Sequence, residues 1–192
     1  MSKILTIDQC RKLAKEFDIE LAVLLAVKEV EAGKRGFDPA TGKIIIQFEP
    51  HWFKRYSRVW VPNGVESQEP EWKAFNKAFA INAEAAMLST SIGLMQVMGF
   101  NYKAAGFKSV HEMWDRCKES EEEQMRAGLN FIKNNPALYK AAKEKDWHTF
   151  AYHYNGAGYK ALAKRLKREP YNITLGNAYA KYARQYPEAV LA

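Results

Sequence analysis

The sequence predicts a mostly α-helical fold with one small β-hairpin lobe, and three observations carry this. Apolar residues recur at helical spacing through most of the 192 residues. Capping signatures such as Thr6 with Gln9 and Ser120 with Glu123 mark where helices open. Only one stretch, residues 44–48 (Ile-Ile-Ile-Gln-Phe), has the β-branched and aromatic density of a strand.

After Thr6, the residues Ile7, Cys10, Leu13, Ala14 and Phe17 fall on one helical stripe. Asp18 stands where a cap would open a second helix, in which Ile19 and residues 21–27 are almost wholly apolar. A helix apolar on nearly every side is a buried one. It closes at Glu31-Ala32-Gly33, with Gly33 as the stop. Asp38-Pro39-Ala40-Thr41-Gly42 is turn chemistry, so residues 38–48 read as a hairpin. A helix runs from His51 to Arg58, and Val61-Pro62-Asn63-Gly64 breaks it. Helical segments follow near 71–79, 82–90, 93–98 and 109–117. Ser120 opens a helix over 121–134 with Met125, Leu129 and Ile132 inward. Glu121, Glu122 and Glu123 then suit the positive pole of its N-terminus. Asp146 caps a helix carrying Trp147, Phe150, Ala151 and Tyr154, stopped by Asn155-Gly156. Two more helices cover 157–168 and 174–185. No repeat, low-complexity tract or linker interrupts the pattern, so residues 1–192 read as one domain.

Composition narrows the function class. A formal charge of +7 and a pI near 9.3 draw the protein to anionic polymers or surfaces, with nucleic acid, lipopolysaccharide, teichoic acid and peptidoglycan equally eligible. Cys10 and Cys117 lack CxxC spacing, which suggests neither a zinc site nor a disulfide framework, and Cys10 fits a reduced core residue. His51, His111, His148 and His153 are scattered without HExxH spacing, so no metal or cofactor is expected and a peptidase is disfavoured. The N-terminus lacks a long apolar stretch, and no signal peptide is read there. The apolar run 21–27 is too short to span a bilayer. No recognition-helix arrangement or RNP-like motif points to nucleic acid, and a monomer is expected. Basic residues cluster only at Lys160, Lys164, Arg165, Lys167 and Arg168. That segment reads either as an amphipathic basic helix touching an anionic outer membrane or wall, or as a solvated helix face.

Four signals have chemical potential, each with a plainer reading beside it. Glu31 ends a buried helix, where the negative dipole pole and apolar surroundings both disfavour ionisation, as a proton donor requires. From the residues alone, the plainer reading, a solvated helix-end residue, is the favoured one. Glu29 lies roughly 200° around that helix and cannot share its site. Glu49 closes the apolar run and could project into a cleft as a second, water-activating carboxylate, or could cap the helix near Pro50. In Ser91-Ile92-Gly93-Leu94-Met95-Gln96-Val97-Met98-Gly99, the amide of Gln96 needs partners among apolar neighbours. A bound acetamido sugar would supply one, and so would the core itself. Ala151-Tyr152-His153-Tyr154-Asn155-Gly156 suits a sugar platform with close backbone approach at glycine, or an ordinary helix stop.

Taken in order, a Glu ending a buried helix, then Gly-Leu-Met-Gln-Val, then Tyr-Asn-Gly resembles the goose-type lysozyme and soluble lytic transglycosylase group. More closely, the chain resembles the N-acetylmuramidase family of phage endolysins and prophage lysis modules over residues 20–186. The phrases that carry this are Glu31-Ala32-Gly33, Ile46-Gln47-Phe48-Glu49-Pro50-His51-Trp52-Phe53, the Ser91 to Gly99 phrase continued by Phe100-Asn101, Ala105-Gly106-Phe107 and Tyr154-Asn155-Gly156. The resemblance implies a lysozyme-like helical domain with a small β-hairpin lobe, a substrate cleft, and cleavage of peptidoglycan between N-acetylmuramic acid and N-acetylglucosamine. It gives Glu31 the general-acid role and makes Glu49 the second acidic residue. It also places Ser91, Met95, Gln96, Tyr154, Asn155 and Gly156 along the sugar subsites. The family often has Ser after the acid where this chain has Ala32, which removes a hydroxyl that would orient the carboxyl group. Many relatives carry a wall-binding domain before the catalytic one, and none is expected here. The resemblance further implies an endolysin made in the host cytoplasm that reaches the wall once another protein opens the membrane. Two alternatives stand beside this: a lytic transglycosylase leaving 1,6-anhydro ends, and a non-catalytic basic protein that binds wall or nucleic acid.

Overall fold

The structure, a computed structural model, describes residues 3–32, 35–63 and 67–187. The expected stop at Gly33 and the turn residue Gly64 lie outside them. In chain order the helices are α1 (Ile7–Glu16), α2 (Leu21–Ala32), α3 (Pro50–Ser57), α4 (Gln68–Ile81), α5 (Ala83–Leu88), α6 (Val110–Glu119), α7 (Glu121–Lys133), α8 (Pro136–Glu144), α9 (Trp147–Asn155), α10 (Tyr159–Arg165) and α11 (Tyr171–Gln185). The strands are β1 (Ile46–Phe48), β2 (Thr90–Ile92) and β3 (Val97–Met98). The chain forms two compact units, one of residues 1–4 and 35–131, the other of residues 5–34 and 132–192.

In the second unit the Thr6–Gln9 capping box forms in both directions and opens α1, which buries Cys10, Leu13 and Ala14. Residues 21–27 of α2 are all buried, as their unbroken apolar character requires. This helix packs against α11 and α1. Asp18 does not cap it. Asp18 instead adopts a left-handed conformation, φ +51°, and Ile19 N–H donates to the Ala14 carbonyl, which closes α1. Its carboxylate is engaged by Lys143 Nζ at 2.9 Å. The sequence reading assigns nothing to α8, yet its start is conventional: the Asn135 side chain accepts from Leu138 N–H and Pro136 occupies the first turn. Asp146 caps α9 by accepting from Thr149 N–H, as expected.

The first unit holds a three-stranded antiparallel sheet in the order β1-β2-β3. Ile46 faces Ile92, Gln47 faces Ser91 and Phe48 faces Thr90, while Ser91 and Ile92 face Met98 and Val97. Two expectations change here. The stretch 93–98 is a tight turn leading into β3, not a helix, because Gly93 (φ +69°) and Gln96 (φ +46°) are both left-handed. A Cβ at position 93 would also lie 2.6 Å from Gln124 Cδ, so glycine is required twice over. The hairpin expected over 38–48 reduces to a turn closed by Asp38 N–H to the Lys43 carbonyl and one bridge between Phe37 and Ile44. Residues 46–48 pair with the distant β2 instead.

The outer edge of β1 is covered by side chains. Gln68 bonds both the N–H and the carbonyl of Ile46, at 2.8 and 2.9 Å. Phe48 N–H donates to Glu71 Oε2 at 2.8 Å, and Asn63 Nδ2 donates to the Phe48 carbonyl at 2.7 Å. These groups satisfy an edge that would otherwise be a template for strand addition. They also fix the strand that leads directly into Glu49.

Candidate active site

In the second unit, Glu31 lies in the last turn of α2 and is half-buried. The hydroxyl of Tyr171 donates to Glu31 Oε1 at 2.6 Å. Tyr171 is the first residue of α11, and Pro170 at the N-cap (φ −60°) sets the direction in which that helix departs. Tyr154 stacks on Tyr171 with ring centroids 6.2 Å apart and planes 17° apart. Phe150, fully buried, stacks on Tyr154 at 5.5 Å and 16°. Three parallel rings therefore hold the hydroxyl that holds the carboxyl group. Asn155 adds a side-chain hydrogen bond to Tyr171. Burial first, and then the Glu31 charge, hold both Tyr154 and Tyr171 far above the usual phenol range. Both hydroxyls keep their protons, so Tyr171 is a donor toward Glu31 at any working pH.

The neighbouring acids, Glu29 in α2 and Glu20 just before it, are committed differently. Glu29 is held by Lys181 and by Tyr182 Oη at 2.6 Å, and the Lys181 hydrogen bond is the main reason its carboxyl lies below the usual range. A carboxylate kept ionised in this way joins α2 to α11 and is a poor proton donor. Glu20 accepts from Lys145 Nζ at 2.6 Å and from Tyr179 Oη at 2.8 Å.

Gly156 follows Tyr154 and Asn155 with φ +87° and ψ 162°, a region effectively reserved for glycine. Nothing lies within 4 Å of where its Cβ would be, so backbone conformation alone selects the residue. The basic helix expected over 157–168 is shorter: α10 stops at Arg165, and Lys167 turns left-handed at φ +50°. Lys160, Lys164, Arg165, Lys167 and Arg168 are all exposed, as are Leu162 and Leu166.

In the first unit, Glu49 occupies the N-cap position of α3, yet its side chain makes no capping bond. Gln47 Nε2 donates to Glu49 Oε1 at 2.9 Å instead. Burial raises the Glu49 carboxyl above its ordinary range, opposed by the Gln47 hydrogen bond and by the charge of His51. Glu71, which sequence reasoning missed, is also raised, chiefly by burial and in part by the nearby Glu49 charge. Its two oxygens face the Phe48 N–H and Asn63, which makes it a support for β1.

The Gln96 amide finds its partners within its own turn. Its Nε2 donates to the Gly93 carbonyl at 2.7 Å, and Ser91 Oγ donates to its Oε1 at 3.0 Å. Half-buried, it keeps one further proton and one lone pair for another partner. Ser91 and Met95 are buried, and Met95 packs so closely on Gly128 that a Cβ there would lie 2.5 Å from Met95 Cγ. The structure thus gathers Glu31, Tyr154, Asn155 and Gly156 in one unit. It gathers Glu49, Ser91, Met95 and Gln96 in the other.

Among the described residues no group of three or more His, Cys, Asp or Glu could hold a metal ion. Burial pushes the Cys117 thiol up to about 12, well outside the range of a nucleophile. Tyr171 was not singled out from the sequence, because its partner lies 140 residues away; the local signal is only Pro170 before an aromatic residue.

The N-acetylmuramidase family model matches residues 20–183. Among solved structures, the crystal structure of the Burkholderia AP3 phage endolysin is similar at a TM-score of 0.83 and 30% sequence identity, covering 96% of this chain and 73% of that one. No curated protein matches.

Proposed function

The chain belongs to the N-acetylmuramidase family, and from that premise we propose that it cleaves the β-1,4 bond between N-acetylmuramic acid and N-acetylglucosamine, with Glu31 as proton donor. It is a glycoside hydrolase of the peptidoglycan-cleaving endolysin type, with a lysozyme-like helical fold and a small antiparallel sheet. The family match over 20–183 supports reading both compact units as parts of one catalytic domain.

The observation that carries the role of Glu31 is its short hydrogen bond from a half-buried, protonated tyrosine backed by two stacked rings, which fixes the orientation of the carboxyl group. General acid catalysis needs a carboxyl group held in one orientation toward the leaving oxygen. Glu31 protonates the glycosidic oxygen as positive charge develops at the muramic C1. Glu49 is the second acid: a half-buried carboxylate not used for capping is suited to hold the attacking water. This favours hydrolysis to a reducing muramic end over attack by the sugar's own 6-hydroxyl. Tyr154, Asn155 and Gly156 contribute a sugar platform, and Gln96, held by Ser91 Oγ, offers its remaining donor to an acetamido group, with Met95 acting through its packing on Gly128.

No helix among the described residues is long and apolar enough to cross a membrane. The chain acts on the wall as a monomer, reaching it once another protein opens the membrane. The exposed cations from Lys160 to Arg168 favour contact with an anionic outer membrane or wall. Incubation with purified peptidoglycan is expected to release reducing ends as turbidity falls, and failure of folded protein to release any would overturn the assignment.

Two variants probe the supports. Tyr171→Phe deletes only the hydroxyl, so the rings still stack, while Glu31 loses its orienting donor. A fall in kcat of roughly ten- to a hundredfold is expected, with KM on soluble glycan fragments within twofold. Equal loss in both parameters would assign Tyr171 to substrate binding. Gln47→Ala removes a hydrogen bond that favours ionised Glu49. The Glu49 carboxyl then rises further, and because the base must be ionised, activity is lost at a higher pH on the acid side. Profiles of kcat/KM against pH are expected to show this limb moved upward, with the plateau retained. A limb unmoved or moved downward would remove Glu49 as its source.

A further inference from the structure

A pocket of about 230 Å³ in the second unit is lined by Val30, Asn155, Tyr159, Arg168, Glu169 and Tyr171. Val30 precedes Glu31 in α2, and Tyr171 is the Glu31 donor, so the pocket adjoins the acid. Protonating a glycosidic oxygen uses none of its charged lining. Arg168 and Glu169 carry opposite charges on consecutive residues, yet among the described residues the side chain of neither joins an ion pair. Both are exposed. Their placement is built by the backbone: Lys167 is left-handed, and Arg168 N–H returns to the Ala163 carbonyl at 3.1 Å, which folds the chain back over α10. Tyr159 Oη is fixed at 2.6 Å from His148 Nδ1, and Leu162 and Ala163 supply an apolar wall.

A neutral glycan has no group that would use a separated cation and anion side by side. A short peptide bearing both carboxylates and an amine has both. In peptidoglycan such a peptide hangs from the lactyl group of muramic acid, the sugar whose bond Glu31 is proposed to break. We propose that this pocket takes the stem peptide, with Arg168 binding a stem carboxylate and Glu169 facing its amine. This rests on the muramidase reading above and makes Arg168 a specificity-determining residue for peptide-bearing strands.

The test compares wild type, Arg168→Gln and Lys77→Gln on intact peptidoglycan and on the same material stripped of stem peptides by an amidase, with the lactyl carboxylates so freed capped as methylamides to keep the glycan neutral. Lys77, exposed on α4, is the control for net charge alone. The ratio of kcat/KM on intact to stripped strands is expected to fall about tenfold in Arg168→Gln, the loss lying in KM, and to hold in Lys77→Gln. An unchanged ratio in Arg168→Gln, or an equal fall in Lys77→Gln, overturns the proposal. In parallel, the free peptide L-Ala-D-Glu-diaminopimelate-D-Ala is titrated into wild type and Arg168→Gln and followed by NMR. Shifts of the Asn155 and Tyr171 resonances in wild type, weakened in Arg168→Gln, support the pocket; no shifts in wild type overturn it. Wild type that cleaves neither substrate contradicts the muramidase reading instead, and the titration then decides the pocket by itself.

Discussion

Glu31→Gln is expected to keep the fold and to abolish wall lysis, a loss of at least about a thousandfold. The amide occupies the same volume, and its oxygen can still accept from Tyr171, so no buried donor is orphaned. The packing of α2 against α11, with the Glu29 and Glu20 contacts, is untouched. What disappears is the acidic proton that the proposed mechanism delivers to the leaving oxygen. Circular dichroism and the melting temperature should match wild type, while turbidity of purified peptidoglycan should not fall. Near-normal clearance by the variant would sink the assignment of Glu31 as acid.

Glu49→Gln is expected to cost about a hundredfold, a large loss short of abolition, because water can still attack without a base once the leaving group is protonated. The linked stability effect has a definite sign. Burial raises the folded-state Glu49 carboxyl, so its contribution to stability is fully present below the ordinary carboxylate range and is lost as pH rises through the raised value. The neutral amide has no charge to desolvate and sacrifices no helix cap. Melting temperatures near pH 7 are therefore expected to equal or exceed wild type, with the difference closing as the pH is lowered. A variant with wild-type activity would remove the water-holding role, and a marked fall in melting temperature at pH 7 would point to a structural one.

Much of this was legible because its causes are local. The capping box at Thr6 and Gln9, the Asp146 cap, the wholly apolar run of α2 and the helix after Glu49 all follow from residues within one or two turns of each other. The failures have non-local or conformational causes. Leu94, Met95 and Val97 suit a short helix as well as a hairpin turn, and the choice is made by the left-handed Gly93 and Gln96 and by β2, which pairs with β3 on one side and with the distant β1 on the other. Asp18 carries the composition of a cap, yet its left-handed backbone closes the preceding helix, with Ile19 N–H returning to the Ala14 carbonyl. At the site, Glu31, Tyr154 and Asn155 stood out by type and position. Tyr171, which donates to Glu31, and Glu71, which braces the strand before Glu49, are visible only once the chain has folded.

The most direct test of the central claim is mass spectrometry of the glycan fragments released from purified peptidoglycan by wild type, with Glu31→Gln as control. Fragments ending in reducing N-acetylmuramic acid, absent from the control, are the expected result and would make acid catalysis by Glu31 with attack by water the working mechanism. Fragments lighter by one water would contradict it, since the sugar's own 6-hydroxyl would then be the nucleophile and Glu49 would have no water to hold.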